Sequence, residues 1–421
     1  MAGLLADTAP LRSPHFRRLW SANIVTVIGA QLTVVVVPAQ IFFITGSSAY
    51  VGLAGLFGLV PLVVFGLWGG AVADIVDRRL LLIITTIGLI GCSALFWLQA
   101  AAGIDNVWVI LSLFAVQQGF FAVNQPTKSA ILPKIVDIKD LPAANSLNMT
   151  VMQAGAIAGP VIGGALIPKL GYSTLYLVDT IFLFATLWAV IRLPSLTPER
   201  SDDAPRVAGL RSVIDGFVYL RGHKVLMMSF VVDLIAMVFG MPRALFPQMA
   251  HENFGGPDGG GLAFALLFAA IGAGAVVGGV FSGWVSRVQR QGLAVIVCIV
   301  IWGASIAGLG VVVAFAGGAT LPMLPIAVAL LMIGGAADMA SAAFRQSMLQ
   351  SAANDDVRGR LQGVFTVVVA GGPRIADVAH GGVAATAGVA VTTAGGGIAV
   401  IVFTVVAALA VPAFVRYRLV H

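Results

Sequence analysis

Residues 51–79, VGLAGLFGLVPLVVFGLWGGAVADIVDRR, decide what kind of protein this sequence encodes. The stretch 51–73 contains no charged side chain, whereas 74–79 contains two aspartates and two arginines. A helix needs about 20 consecutive apolar residues to cross the hydrocarbon core of a bilayer. The stretch therefore predicts a membrane-spanning helix that ends in a short charged turn.

The composition of the whole chain agrees with this interpretation. Of its 421 residues, 59% are hydrophobic and only 10% are charged, and the mean hydropathy is +0.99. A soluble globular protein usually carries about 25% charged residues, which cover its surface toward water. The composition excludes a soluble enzyme and indicates that lipid surrounds most of the chain.

Apolar runs of similar length recur along the chain and predict twelve transmembrane helices. A transmembrane barrel would alternate apolar and polar positions, and these runs do not. The sequence therefore predicts an all-α membrane protein. The expected spans are residues 20–44, 51–73, 80–102, 107–123, 146–167, 172–191, 225–249, 262–285, 293–316, 322–343, 364–389 and 392–414.

The basic residues indicate the orientation of these spans. If the N-terminus is cytoplasmic, all but three of the 24 lysines and arginines fall in cytoplasmic segments, with Lys128 and Arg345 counted there. Cytoplasmic loops carry such an excess of basic residues. We expect a multi-pass protein of the bacterial inner membrane with both termini in the cytoplasm. The same distribution accounts for the pI of 9.7 without a nucleic-acid partner.

Two landmarks repeat at nearly the same offset. Gly69-Gly70 recurs as Gly278-Gly279, and Gly159-Pro160 recurs as Gly372-Pro373. The repeats predict two pseudo-symmetric six-helix bundles, residues 1–191 and 225–421, joined by a cytoplasmic linker, residues 192–224. Such six-helix halves characterise the major facilitator transporters.

The charged turn after the second span resembles the loop signature of the major facilitator superfamily. The matching residues are Gly70, Ala73, Asp74, Arg78 and Arg79. Ile75 replaces the usual basic residue and Asp77 the usual glycine. The resemblance implies a cytoplasmic gating loop, and the alternative is an ordinary basic turn with an aspartate at a helix end.

The fifth span carries a glycine-rich pattern that resembles the signature of exporters within this superfamily. Its residues are Gly155, Gly159, Pro160, Gly163 and Gly164. Three of these glycines recur every four residues, so one helix face is bare backbone that a neighbouring helix can approach. The resemblance implies export, and the alternative is generic packing of small residues.

The whole chain resembles the enterobactin (catecholate siderophore) exporter branch of this superfamily, which groups with macrolide and multidrug efflux carriers. The supporting stretches are residues 37–41, 242–247, 347–350 and 359–363. The resemblance implies a secondary transporter that exports small, partly aromatic molecules. A multidrug or macrolide efflux pump is the alternative.

Ionisable residues within the expected spans are candidates for proton coupling. A charge at the bilayer centre costs about 2.5–3.5 kcal/mol on insertion scales, so each needs a partner or a function. The candidates are Asp233, Asp338, Asp377 and His380. The alternative for each is a structural hydrogen bond or ion pair. Arg374 stands three residues before Asp377, which favours pairing between them.

Polar and bulky apolar residues of the spans that line the cavity in this family are candidates for contacting a substrate. Arg243 in particular could pair with an oxyanion of a catecholate, and its alternative is to extend to the lipid headgroups. The alternative for the other residues is helix packing. The candidates are Asn23, Gln31, Phe114, Gln117, Gln118, Asn124, Met237, Arg243 and Phe344.

Two other classes of protein are alternatives. A polytopic membrane enzyme such as a prenyl transferase needs paired aspartate-rich metal sites, which the sequence lacks; a channel or non-transporting sensor is the other possibility. No phosphate-binding loop for ATP and no metal-ligand spacing is present. We therefore expect no cofactor or metal, and a monomer whose partners are a small-molecule substrate, the lipid bilayer and protons.

Overall fold

A computed structural model describes residues 7–73, 76–196, 210–257, 260–318, 320–352 and 355–418. Regular structure within these ranges is helical throughout. The long helices are α1 (Pro14–Thr45), α2 (Ser48–Ala73), α3 (Arg78–Ala101), α4 (Val107–Ile135), α5 (Leu141–Ile191), α6 (Leu210–Gly222), α7 (Lys224–Gly240), α8 (Leu262–Val280), α9 (Gln291–Ala316), α10 (Met323–Ala352), α11 (Asp355–Ala387) and α12 (Val389–Ala410).

The helices confirm the expected all-α membrane fold. Ten helical segments of the described residues are long and apolar enough to cross a membrane. One of them contains α5, which is broken at Gly171, where φ is 72°. Glycine adopts this left-handed backbone conformation without steric cost, so the chain can bend there. The break falls between the expected fifth and sixth spans and separates them.

Several helices are longer than the hydropathy pattern predicts, α4 and α10 among them. α4 continues to Ile135 and α10 to Ala352. Lys128 and Arg345 therefore lie inside helices that continue beyond the expected spans, and their cytoplasmic placement stays a prediction. Mean hydropathy falls at the first polar residues, but lysine and arginine are good helix formers, so the helix does not end there.

The expected span 225–249 is interrupted. α7 ends at Gly240, and Pro242 precedes a 3₁₀ turn (Arg243–Leu245) and a π-helical turn (Met249–Asn253). Proline has no N–H for a helical hydrogen bond, which accounts for the interruption. Arg243 consequently lies on an irregular segment.

The chain forms two compact units. The first comprises Met1–Gln40 and Phe57–Gly209, and the second comprises Ile41–Leu56 and Leu210–His421. One buried cluster of the first unit joins α1, α3, α4 and α5 through Phe16, Leu82, Ile131 and Val190. A cluster of the second unit joins α6, α7, α10 and α11, so α6 is packed by apolar contacts although it lies in the expected linker.

Candidate functional site

A buried ion pair lies in the second unit. Arg345 on α10 contacts the carboxylate of Asp233 on α7, and their side chains are 6% and 1% exposed. Apart from this contact, neither oxygen of Asp233 nor Nε of Arg345 has a hydrogen-bond partner among the described residues. Buried polar atoms are nearly always paired. These atoms therefore have unused capacity: the carboxylate oxygens can accept a further hydrogen bond or a proton, and Nε–H can donate a hydrogen bond.

A second carboxylate shares the same arginine. Asp338 stands seven residues before Arg345, two turns along the same face of α10. Its strongest electrostatic influences are Arg345 and Asp233, followed by Arg243, which is exposed. The second unit therefore brings two carboxylates and one buried guanidinium together. Sequence reasoning proposed both aspartates and missed the arginine.

Asp377 and His380 on α11 occupy different surroundings. Asp377 lies within electrostatic reach of Arg374 and Arg243, and the backbone N–H of Ala244 donates a hydrogen bond to it. His380 is buried, with Nδ1 3.0 Å from the carbonyl oxygen of Ala376 and Nε2 3.1 Å from that of Phe239. This imidazole ties α11 to the end of α7.

The remaining candidates of the second unit are dispersed. Met237 is partly buried against Gly372 on α11. Phe344 has no exposed surface and packs edge-on against Trp284, with the ring centroids 5.7 Å apart. Arg243 is the exposed member of the set. Contact of these three side chains with a substrate stays a prediction.

Lys128 and Asn23 meet in the first unit. The ammonium of Lys128 on α4 donates a hydrogen bond of 2.5 Å to the amide oxygen of Asn23 on α1. Asn23 is 7% exposed, whereas Lys128 is only partly buried. The structure thus gives one of the predicted cavity residues a cationic partner that sequence reasoning had placed outside the spans.

The other candidates of the first unit that lie on α4 are buried or partly buried. Asn124 donates to the hydroxyl of Thr85 on α3 at 2.8 Å. Phe114 and Gln117 are buried, and Gln118 is partly buried. The hydrogen bond of Asn124 fixes α4 to α3, and contact with a substrate stays a prediction for each of the four residues.

Asp179 forms a buried polar cluster that sequence reasoning did not propose as a site. Its carboxylate accepts hydrogen bonds from Thr33 at 2.8 Å and Ser93 at 2.9 Å, and Thr180 donates to Ser93. The cluster joins α1, α3 and α5 across the first unit. Its only signal in the sequence is an ionisable residue inside an apolar span, which does not reveal the hydroxyl partners.

The glycine face of the fifth span packs directly against α1. A Cβ atom at Gly155 would overlap Val27, and one at Gly159 would overlap Gln31. Gly163 lies against Leu32, and both Pro160 and Gly164 are buried. These glycines permit the close approach of two helix backbones, as the spacing in the sequence predicts.

The described part of the expected gating loop is held by main-chain contacts. Asp74 lies outside the described residues, and Gly70 lies in α2 among residues whose side chains are not described. Arg78 donates to the carbonyl oxygen of Ala130 at 3.3 Å, and Arg79 donates to that of Ile191 at 2.6 Å. These arginines bind the ends of α4 and α5 in the first unit.

Asp77 caps α3 and holds the chain that follows α5. It accepts hydrogen bonds from the backbone N–H of Arg79 at 2.8 Å, the hydroxyl of Ser195 at 2.5 Å and the backbone N–H of Leu196 at 3.2 Å. Desolvation acts to raise the pKa of Asp77, but these hydrogen bonds outweigh it and hold the pKa below its ordinary value.

The fold is that of a polytopic membrane protein, and comparison with known proteins gives its class. A family model described as transmembrane secretion effector matches residues 5–417. The chain belongs to this family of the major facilitator superfamily and is a transporter, not an enzyme.

Similar proteins are found among both curated sequences and solved structures. The enterobactin exporter EntS of Escherichia coli O1:K1 is 26% identical over 416 residues, which cover 96% of this chain and 94% of that protein. The peptide transporter POT in complex with sulfate has a TM-score of 0.77 at 12% identity, with 99% of this chain and 97% of that chain covered.

A third similar structure is a bacterial homologue of the human lysosomal transporter Spinster. It has a TM-score of 0.68 at 15% identity, with 97% of both chains covered. The structural similarities establish the fold alone, because the sequence identities are low.

Proposed function

We propose that this chain exports small, partly aromatic molecules by alternating access, with protons moving in the opposite direction, and that a catecholate siderophore is its cargo. The similarity to an enterobactin exporter along 96% of the chain supports export and this class of cargo. In this proposal the carrier is a monomer in the bacterial inner membrane. Both of its termini lie in the cytoplasm, which is the orientation that the distribution of basic residues predicts.

The buried group of Asp233, Asp338 and Arg345 carries the proposal of proton coupling. Two carboxylates facing one buried guanidinium leave one negative charge in excess, since Arg243 is exposed and exerts the weakest influence on Asp338. An uncompensated charge at membrane depth is costly. Binding of one proton removes that cost, so the proton and the arginine can compete for the two carboxylates as the carrier changes conformation.

Transport in reconstituted liposomes tests this proposal. The purified carrier is placed in vesicles, a pH gradient is imposed, and the flux of a catecholate siderophore is measured beside that of a macrolide. We expect the gradient to drive catecholate flux, and Asp233→Asn or Asp338→Asn to reduce that flux about tenfold or more. Asp105→Asn, at an exposed carboxylate between α3 and α4, is the matched control.

Three results would contradict the proposal. Flux that ignores the pH gradient removes proton coupling, and unchanged flux in both aspartate variants removes these residues as the coupling group. Transport of the macrolide without transport of the catecholate removes the siderophore as cargo and favours multidrug efflux.

A further inference from the structure

Lys128 is a cation inside a membrane-spanning helix. It lies seven residues before the end of α4, about 10 Å along the helix axis. Its ammonium is hydrogen-bonded to Asn23, which lies nine residues after the start of α1. A neutral amide on α1 therefore holds the lysine side chain of α4, and the contact lies away from the ends of both helices.

No carboxylate of the described residues lies within ion-pairing distance of Lys128. The described ion pairs are Lys139 with Asp137 and Arg345 with Asp233. Asp179, the buried carboxylate of the first unit, is hydrogen-bonded to hydroxyl groups on α1 and α3. Within the part of the chain that the structure describes, no carboxylate compensates the positive charge of Lys128, in contrast to that of Arg345.

The geometry leaves the ammonium able to bind another group. An ammonium has three N–H donors, and the amide oxygen of Asn23 occupies one of them. Asn23 is buried and Lys128 is half-buried, so the amide holds the ammonium on one side while part of the lysine side chain stays accessible. A charge-assisted hydrogen bond to an oxyanion is about twice as strong as one between neutral groups.

We propose that Lys128, positioned by Asn23, is the anion-binding subsite for the cargo and takes a carboxylate or catecholate oxygen. This inference rests on the proposed export function and narrows its cargo to molecules that carry an oxyanion. The choice of asparagine as the partner matters, because an aspartate at this position would neutralise the ammonium internally.

A matched pair of probes tests the subsite by binding alone. The acid is 2,3-dihydroxybenzoate, and 2,3-dihydroxybenzamide has the same ring with a neutral amide in place of the carboxylate. Affinities are measured calorimetrically on the full-length carrier in an uncharged maltoside detergent. We expect the wild-type carrier to bind the acid about tenfold more tightly than the amide, as one charge-assisted hydrogen bond supplies.

Variants assign the preference to the two residues. Lys128→Gln and Asn23→Asp should both abolish the preference for the acid, the first by removing the charge and the second by neutralising it. Lys128→Arg should retain it. Lys134→Gln removes an exposed charge from the same helix and should leave the preference unchanged. Gel filtration identifies any variant that fails to fold. Because Lys128→Gln and Asn23→Asp change the charge by different chemistry, the test does not depend on either variant alone.

The outcomes separate this inference from the proposed function. A preference that survives in both Lys128→Gln and Asn23→Asp, or wild-type carrier that shows none, overturns the subsite even if transport follows the pH gradient. In nanodiscs the preference should persist with phosphatidylglycerol present. Its loss there would assign the ammonium to a lipid phosphate and overturn the subsite as well. A preference confirmed in a carrier whose flux ignores the gradient would support the subsite and refute only proton coupling.

Discussion

Arg345 and Asp233 form a buried ion pair across the packing of α10 against α7, with side chains that are 6% and 1% exposed. Removing one partner of such a pair leaves the other charge buried without compensation, at a cost of about 3–5 kcal/mol. The stability of the second unit should therefore depend on the two residues jointly.

We expect Arg345→Met to lower the free energy of unfolding by about 3–5 kcal/mol, because Asp233 then remains as an unpaired buried carboxylate. Thermal and denaturant unfolding of the purified carrier in detergent measures this loss. The double variant Arg345→Met with Asp233→Leu should recover part of the stability, since Asp233 no longer leaves an unpaired carboxylate and only Asp338 remains of the group.

Arg290→Met is the control for this prediction, because Arg290 is exposed at the start of α9. Equal effects of Arg345→Met and Arg290→Met, or a double variant no more stable than Arg345→Met, would show that the pair is not coupled energetically.

Asp179 should stabilise the first unit through its hydroxyl donors. Asp179→Ala leaves the hydroxyls of Thr33 and Ser93 without this acceptor. Each unsatisfied buried group costs about 1–3 kcal/mol, so we expect a loss of about 2 kcal/mol or more. Asp179→Asn retains one oxygen acceptor and should cost less. Asp105→Ala, at an exposed carboxylate of the same unit, should change the unfolding midpoint little, and a similar effect at both positions would contradict the prediction.

Two adjacent glycines of α11 offer a matched pair. A Cβ atom at Gly381 would overlap the carbonyl oxygen of Ser48, whereas one at Gly382 would meet no heavy atom within 4 Å. Gly381→Ala should destabilise the second unit by about 1–3 kcal/mol through overpacking. Gly382→Ala should be neutral or stabilising by up to about 1 kcal/mol, because alanine favours helix. Differential scanning fluorimetry of the two variants decides the point; equal shifts would argue against close packing at Gly381.

Asp77 should give the first unit a pH-dependent contribution to stability. Its pKa is below the ordinary value of 3.8, with desolvation outweighed by hydrogen bonds, so the folded state favours the charged form. This stabilisation is present above the unfolded pKa and is lost as the pH falls through the folded pKa.

The measurement for Asp77 compares wild type with Asp77→Ala over a range of pH. Loss of a helix cap costs about 1 kcal/mol, so Asp77→Ala should unfold at a lower temperature at pH 6–8. The difference should shrink below about pH 4 as the wild-type carboxylate becomes protonated. Asp137→Ala, at an exposed carboxylate, is the control. A difference independent of pH would indicate that the charge of Asp77 contributes nothing.

The order of the helices was predictable because hydropathy over about 20 residues is a local property. The expected first span, 20–44, lies within α1, and the break at Gly171 falls where a glycine separates two apolar runs. The packing of Gly155 and Gly159 was also predictable from the sequence, because residues spaced by four lie on one face of a helix independently of the tertiary structure.

The partners of the buried charges were not predictable in this way. Hydropathy windows placed Lys128 and Arg345 in loops, because the average falls where polar residues begin even though the helix continues. Asp179, with partners on two other helices, was not recognised as a site for a related reason. Its surroundings depend on the rotation of each helix about its axis.

The sequence by itself determined that this chain is a helical membrane protein and indicated the superfamily, because both follow from local apolar length and short motifs. Only the tertiary structure decided that Arg345 pairs with Asp233 and that Lys128 is hydrogen-bonded to Asn23. The physical reason is that an ionisable side chain in an apolar helix takes the partner that packing brings to its face, and that partner belongs to a helix distant in the chain.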